Sequence, residues 1–211
     1  MTSAQKRNDD NRTVACATRL MILCAALFAC LIQASESAEP IYEGKKLSAW
    51  LVEAYNPGDQ QEHAREAIRQ MGTNALPMLI KVLQTPDRNQ AVSAFRVLGA
   101  TATSAVPAVL NLLTNDIIAQ EAVYALVQIG PQASLSISYG LTNQNSKIRL
   151  GSAMAFSLMA SEGKLAKSAV PLLLNAIHDH DTNVCSYASH ALRRIDPEAA
   201  DKAGVKQLLE R

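Results

Sequence analysis

Internal repetition constrains this chain more than any other feature. Five segments align on a helix-ending slot at Gly72, Gly99, Gly130, Ala160 and Asp196. Five residues before the slot, every segment carries alanine: Ala67, Ala94, Ala125, Ala155 and Ala191. The next column reads Ile68, Phe95, Leu126, Phe156 and Leu192. Eight before the slot stand Ala64, Ala91, Ala122, Ser152 and Ala188; one before it stand Met71, Leu98, Ile129, Met159 and Ile195. These columns fall at i, i+3, i+4 and i+7, the apolar stripe of an amphipathic helix. Small residues in the stripe let a neighbouring backbone approach, and the large ones fill the space that remains.

A second set of columns follows each slot. Pro77, Pro107, Leu135, Pro171 and Val205 correspond, and two residues earlier every segment has alanine, at Ala75, Ala105, Ala133, Ala169 and Ala203. Proline in the first turn of a helix sacrifices no hydrogen bond. Asn74, Ser104 and Ser168 stand where they can cap these second helices. Apolar residues follow at Leu79, Ile80 and Leu83, at Val109, Leu110 and Leu113, and at Leu173, Leu174 and Ile177; Ser136 and Ser138 weaken the third segment. The second-helix alanines are 30, 28, 36 and 34 residues apart, and the longest interval contains the insertion Ser161-Glu162-Gly163-Lys164. A single helix pair of about 30 residues cannot bury both of its helices, so neighbours must stack into one core. The pattern predicts an all-α fold, an α-solenoid of about five helix pairs. Aromatics are only 4% of the chain, which speaks against a sandwich or barrel of strands.

The repeats occupy residues 59–211, with a lead-in segment and helix at 38–58 and a predicted signal peptide at 1–37. Lys6, Arg7, Arg12 and Arg19 precede an apolar run from Leu20 to Ile32, and small residues follow at Ala34, Ser35, Ser37 and Ala38. A charged start, a short apolar stretch and small residues at its exit make a secretory leader. Thirteen apolar residues fall short of the ~20 that cross a bilayer core. Leu27-Phe28-Ala29-Cys30 also resembles a lipoprotein box, making a lipid anchor on Cys30 the minor alternative. The expected location is the periplasm or the extracellular space, without stable membrane insertion once the leader is gone. Loss of four cations and three carboxylates from 20 and 19 leaves 16 of each sign. Only Cys185 of the four cysteines then remains, which removes any intramolecular disulfide. A neutral chain offers no electrostatic footprint for nucleic acid.

At Ala67-Ile68-Arg69-Gln70-Met71-Gly72 followed by Ala75-Leu76-Pro77, and at Ala122-Val123-Tyr124-Ala125-Leu126 leading to Ile129-Gly130-Pro131, the chain resembles the HEAT-like repeat family, in its short PBS-lyase-type form. That resemblance implies an Ala-rich first helix ending in glycine and a Leu-rich second helix opened by Ala and Pro. It also implies a Val-Arg pair starting the first helix, matched by Ile148-Arg149, and a turn aspartate at Asp87, Asp116 or Asp181. Upstream, Tyr42-x-Gly44-Lys45-x-Leu47-x-x-Trp50-Leu51 is similar to the lead-in of such arrays in some exported bacterial proteins. Trp50, Tyr42 and Tyr55 are expected to cover the first pair.

The resemblance leaves function open, because one fold hosts many activities. Di-iron hydroxylases of this architecture carry repeated His-Glu pairs, and no His-Glu dipeptide occurs here. His178-Asp179-His180-Asp181 is the densest cluster of metal-ligand types, but adjacent turn residues rarely converge on one ion. There is no Gly-x-Ser-x-Gly elbow, and Cys185 and His190, five apart, fall on different helix faces. No catalytic residue, metal or cofactor is expected. Four residues after the proline column stand Lys81, Asn111, Tyr139 and Asn175; seven after it stand Gln84, Thr114, Thr142 and His178. Repeated along the second helices, which line the concave side in this family, they form a candidate binding ladder. The expected function is a non-catalytic scaffold that binds another protein; a chromophore or cofactor lyase, or a metal-dependent enzyme, is the alternative.

Overall fold

Three glycines set the rhythm of the chain. Gly72, Gly99 and Gly130 have φ of 54°, 49° and 93°, a region that side chains with a Cβ avoid. Each ends a helix, its N–H donating to the carbonyl of Ile68, Phe95 or Leu126 before the backbone reverses. The computed structural model describes residues 39–164 and 166–205. These are mostly helical, with one short hairpin. In the hairpin, β1 (Ile41–Tyr42) pairs antiparallel with β2 (Lys45–Lys46), Ile41 opposite Lys46.

Helix α1 (Leu47–Tyr55) follows the hairpin. The first pair is α2 (Gln61–Met71) and α3 (Leu76–Val82), and the second is α4 (Arg88–Leu98) and α5 (Val106–Leu112). The third is α6 (Ala119–Ile129) and α7 (Ser134–Ser138), the latter prolonged by a 3₁₀ turn at Tyr139–Thr142. The fourth is α8 (Ser146–Ser161) and α9 (Val170–Ala176); α10 (Thr182–Ile195) and α11 (Pro197–Lys202) complete the series. The first helices form a row of neighbours: α2 packs on α4, α4 on α6, α6 on α8 and α8 on α10. The second helices connect through α5 with α7, the 139–142 turn with α9, and α9 with α11.

Every residue of the four first-helix columns is buried, including Ser152 in the alanine column. Alanines at Ala75, Ala105, Ala133 and Ala169 are buried as well. The stretch Arg88–Leu112 has the length and hydropathy of a membrane span. It is nevertheless broken at Gly99, and Phe95, Leu98, Val106 and Val109 lie in the core.

Several expectations need correction. Ala160 does not end its helix: α8 runs on to Ser161, and the chain turns at Gly163 with φ of 75°. Asn74, Ser104 and Ser168 cap nothing, because α3, α5 and α9 start from 3₁₀ turns with no side-chain cap. Ser168 instead hydrogen-bonds Ser134 across two pairs. The last second helix opens at Pro197, ahead of the expected column. There the Asp196 carboxylate accepts from the Ala199 N–H at 2.9 Å, so Ala203 falls past the helix end. Of the lead-in aromatics, Trp50 is buried, its indole N–H donating to Tyr42 O at 3.1 Å, and Tyr42 packs against the core. Tyr55 stays 46% exposed and covers little. The predicted leader, with Cys30, lies outside the described residues.

Candidate functional site

The ladder residues follow from the geometry of the second helices. Leu79 and Leu83 on one side of α3 are buried, which turns Pro77, Lys81 and Gln84 outward. The same rotation exposes Pro107, Asn111 and Thr114 on α5, and Pro171, Asn175 and His178 on α9. In the third pair it exposes Leu135, Tyr139 and Thr142. All eight predicted ladder residues, Lys81, Gln84, Asn111, Thr114, Tyr139, Thr142, Asn175 and His178, are therefore on the surface. Gln84, Thr114 and Thr142 donate back to carbonyls of their own helices, at Ile80, Asn111 and Tyr139. Among the described residues, the side chains of Lys81, Asn111, Asn175 and His178 make no internal hydrogen bond. The third pair departs from the polar pattern, with Leu135 54% and Tyr139 63% exposed one turn apart.

Two cavities lie on the other side of the pairs, between first helices. One, of about 470 Å³, is lined by Tyr55, Gln61, Arg65, Asn89, Val92, Ser93, Arg96 and Gln128. The second, of about 410 Å³, runs between α6 and α8, with Val123, Leu150, Met154 and Leu158 in its wall and Tyr124 and Tyr187 among its lining residues. Counted from the helix-ending slots, the two are in register. Gln61, Arg65, Asn89 and Ser93 of the first occupy the columns held by Ala119, Val123, Leu150 and Met154 in the second. Equivalent positions are thus polar and cationic between one couple of pairs and apolar between another.

The polar clusters serve the turns. Asp179 receives both Nε and Nη2 of Arg149, at 2.7 and 3.1 Å, and ties the α8 start to the turn before α10. The Val-Arg-like position is therefore an inter-pair ion pair, and its partner is Asp179 rather than Asp181. Burial pulls the Asp179 carboxyl upward, but the Arg149 guanidinium and the Asp181 N–H outweigh it and hold the group below its ordinary range. Asp181 instead caps α10 through the Asn183 N–H. Lys147 reaches Asp116 at 2.7 Å, and Arg88 donates to Ile117 O at 2.9 Å, so two further turns are linked in the same way. Among the described residues, no three His, Cys, Asp or Glu side chains gather as metal ligands.

Cys185 donates to Asp179 O at 3.0 Å, and burial, with the Asp179 charge, pushes its thiol up. His190 turns to Ser157 instead, Nδ1 to Oγ 2.7 Å, a contact between α8 and α10 that the sequence did not reveal. Burial and the charges of Arg194 and Arg193 lower the His190 pKa. A nucleophile–base pair needs a third group to orient the base. Among the described residues no carboxylate does so, and Ser157 is buried.

No protein-family model matches this chain, and no curated protein matches it.

The exposed positions of the ladder recur in columns along the second helices. The first-helix cavities are lined from positions outside the apolar stripe, where the chemistry changes from pair to pair.

Proposed function

We propose that this chain is an exported α-solenoid of about five HEAT-like helix pairs, and that it is a non-catalytic scaffold docking another protein along its second helices. The observation that carries the reading is the exposed register of those helices. In four successive pairs the proline column and the positions four and seven residues beyond it face solvent. A polar ridge with an apolar centre at Leu135 and Tyr139 has the make-up of a protein interface, where aromatic anchors sit within a polar rim. The stacking of first helices on first helices, with alanine columns buried between them, supports the solenoid, whose extended faces are its usual binding surfaces.

The test is crosslinking capture from the native envelope, comparing wild type with two variants of equal thermal stability. One replaces Lys81, Asn111 and Asn175 by Ala, and the other is Tyr139→Ser. A protein captured by wild type and lost in both variants is the expected partner. Equal capture by all three moves the docking face elsewhere.

A further inference from the structure

We propose that the cavity between α2 and α4 binds a carboxylate-bearing ligand, held by Arg65 and Arg96. Four residues of α4, Asn89, Val92, Ser93 and Arg96, share one helix face at i, i+3, i+4 and i+7 and form one wall. Gln61 and Arg65 of α2 face them one turn apart, with Tyr55 from α1 and Gln128 from α6 completing the lining. Two guanidiniums thus line a cavity with no carboxylate among its described lining residues. Arginine keeps its charge in any protein setting, so this charge is permanent.

Internal partners leave that charge largely uncompensated. Arg96 forms no ion pair among the described residues, and its one contact is a long hydrogen bond to Ser93 Oγ at 3.4 Å. Arg65 has Glu62 at 3.4 Å, but Glu62 is engaged more closely by Arg69, at 3.0 Å through both terminal nitrogens. The amides of Asn89 and Gln128 have no internal partner among the described residues either. Packing does not require Gln61, Arg65, Asn89 or Ser93, since their in-register columns in the other cavity hold alanine, valine, leucine and methionine.

The guanidinium fork matches a carboxylate by two parallel hydrogen bonds, which makes a carboxylate the fitting anion. A volume of about 470 Å³ lies in the range of small-ligand sites and exceeds what a bare ion fills. Amides, a hydroxyl and the Tyr55 ring are available for an organic body. That body is either a small organic acid or an acidic side chain of a bound peptide. The site lies on the first helices and stands or falls independently of the second-helix ridge.

Isothermal titration of the full chain at low ionic strength tests this, with citrate and a capped tetraglutamate peptide as separate probes. Saturable 1:1 binding of either probe is expected, weakened about tenfold or more by Arg65→Gln and by Arg96→Gln. Arg96→Lys should recover part of the loss, and Glu62→Gln should tighten binding by freeing Arg65. Citrate binding alone identifies the source as a free organic acid, and peptide binding alone as an acidic side chain. The proposal is overturned if neither probe binds at about 10 mM, or if binding survives in the Arg65→Gln/Arg96→Gln double variant. If a variant fails to fold, side-chain amide NMR signals of Asn89 and Gln128 in wild type decide. Signals unmoved by a saturating probe also overturn it.

Discussion

Gly140→Ala isolates the close approach on which the third and fourth pairs depend. Gly140 lies in the 3₁₀ turn that prolongs α7 and is buried against α8. A Cβ placed there meets Ser152 Oγ directly and comes within 3.1 Å of both Ser152 Cβ and Leu110 Cδ2. Ser152 is fully buried and its hydroxyl donates to Ile148 O at 2.8 Å, so it cannot turn aside without losing that bond. Replacing glycine in a helical conformation stabilises by about 0.4–1 kcal/mol through the unfolded chain. Overpacking a filled core costs about 1–3 kcal/mol. The second effect wins, and the net loss should be roughly 1–2 kcal/mol, a fall in melting temperature of about 3–6 °C at this chain length. Ser152→Ala removes the nearest atom while leaving contacts that a shift of a few tenths of an ångström relieves. Alone it should change stability little, since alanine's higher helix propensity offsets the lost hydrogen bond. The double variant should therefore recover most of the loss, with a coupling of about 1 kcal/mol. Thermal and urea unfolding followed by circular dichroism give all four corners of the cycle. A rise in melting temperature for Gly140→Ala, or additivity of the two changes within about 0.3 kcal/mol, would refute the close approach.

Three further outcomes are expected. Ala94→Leu and Ala125→Leu insert three heavy atoms each into sites 1% and 0% exposed, and each should destabilise by about 1–3 kcal/mol; unchanged melting of both would show the stripe to be misplaced. Because the folded Asp179 pKa is depressed, its ion pair with Arg149 contributes stability that is present above the unfolded carboxylate value of about 4 and is lost as pH falls through the lower folded value. Asp179→Asn should therefore flatten the acid limb of a stability–pH profile, and an unaltered limb would assign the acid sensitivity to other carboxylates. On the export proposed above, mass spectrometry of the mature chain should find an N-terminus between about Ser35 and Glu39, and a retained leader would contradict the secretion reading.

The parts of this fold that were readable from sequence are those that periodicity reports. Ala67, Phe95, Ala125, Phe156 and Leu192 recur because each lies in the core that neighbouring helices share, and all are buried. Gly72, Gly99 and Gly130 were readable because a helix reversal with positive φ selects glycine. Ala160 misled for the complementary reason. Its column is satisfied by burial alone, so alanine continued the stripe while the insertion moved the helix end to Ser161 and the turn to Gly163. Asn74 and Ser104 misled because capping residues are useful only where a helix starts from extended backbone. Here Ala75 and Ala105 already have helical φ and ψ, inherited from a 3₁₀ turn, and the second helices need no cap.

The cationic cavity escaped sequence reading for a reason that also bears on its meaning. Column alignment reveals what recurs, and recurrence reports what stacking demands of every pair. Arg65 stands seven residues before its slot, where the next two pairs have Val92 and Val123, whereas Arg96, three before its slot, shares its column with Arg69 and Arg193. Tyr55 and Gln128, at opposite ends of the lining in sequence, come together only because α1 and α2 both pack on α4 and α4 on α6. Arg65 departs from its column and still meets Arg96 in one cavity, which stacking does not account for. In a repetitive fold, positions that break the pattern are where a pair is free to differ from its neighbours, and binding chemistry can be placed there without disturbing the core. By the same argument Leu135 and Tyr139, which replace proline and asparagine on the ridge, are the positions of the second-helix face most specific to this chain. Tyr139→Ser should thus weaken partner capture more than substitution of any single polar ladder residue, because it removes the anchor rather than part of the rim. Equal losses from Tyr139→Ser and Asn111→Ala would assign recognition to the recurrent polar columns instead.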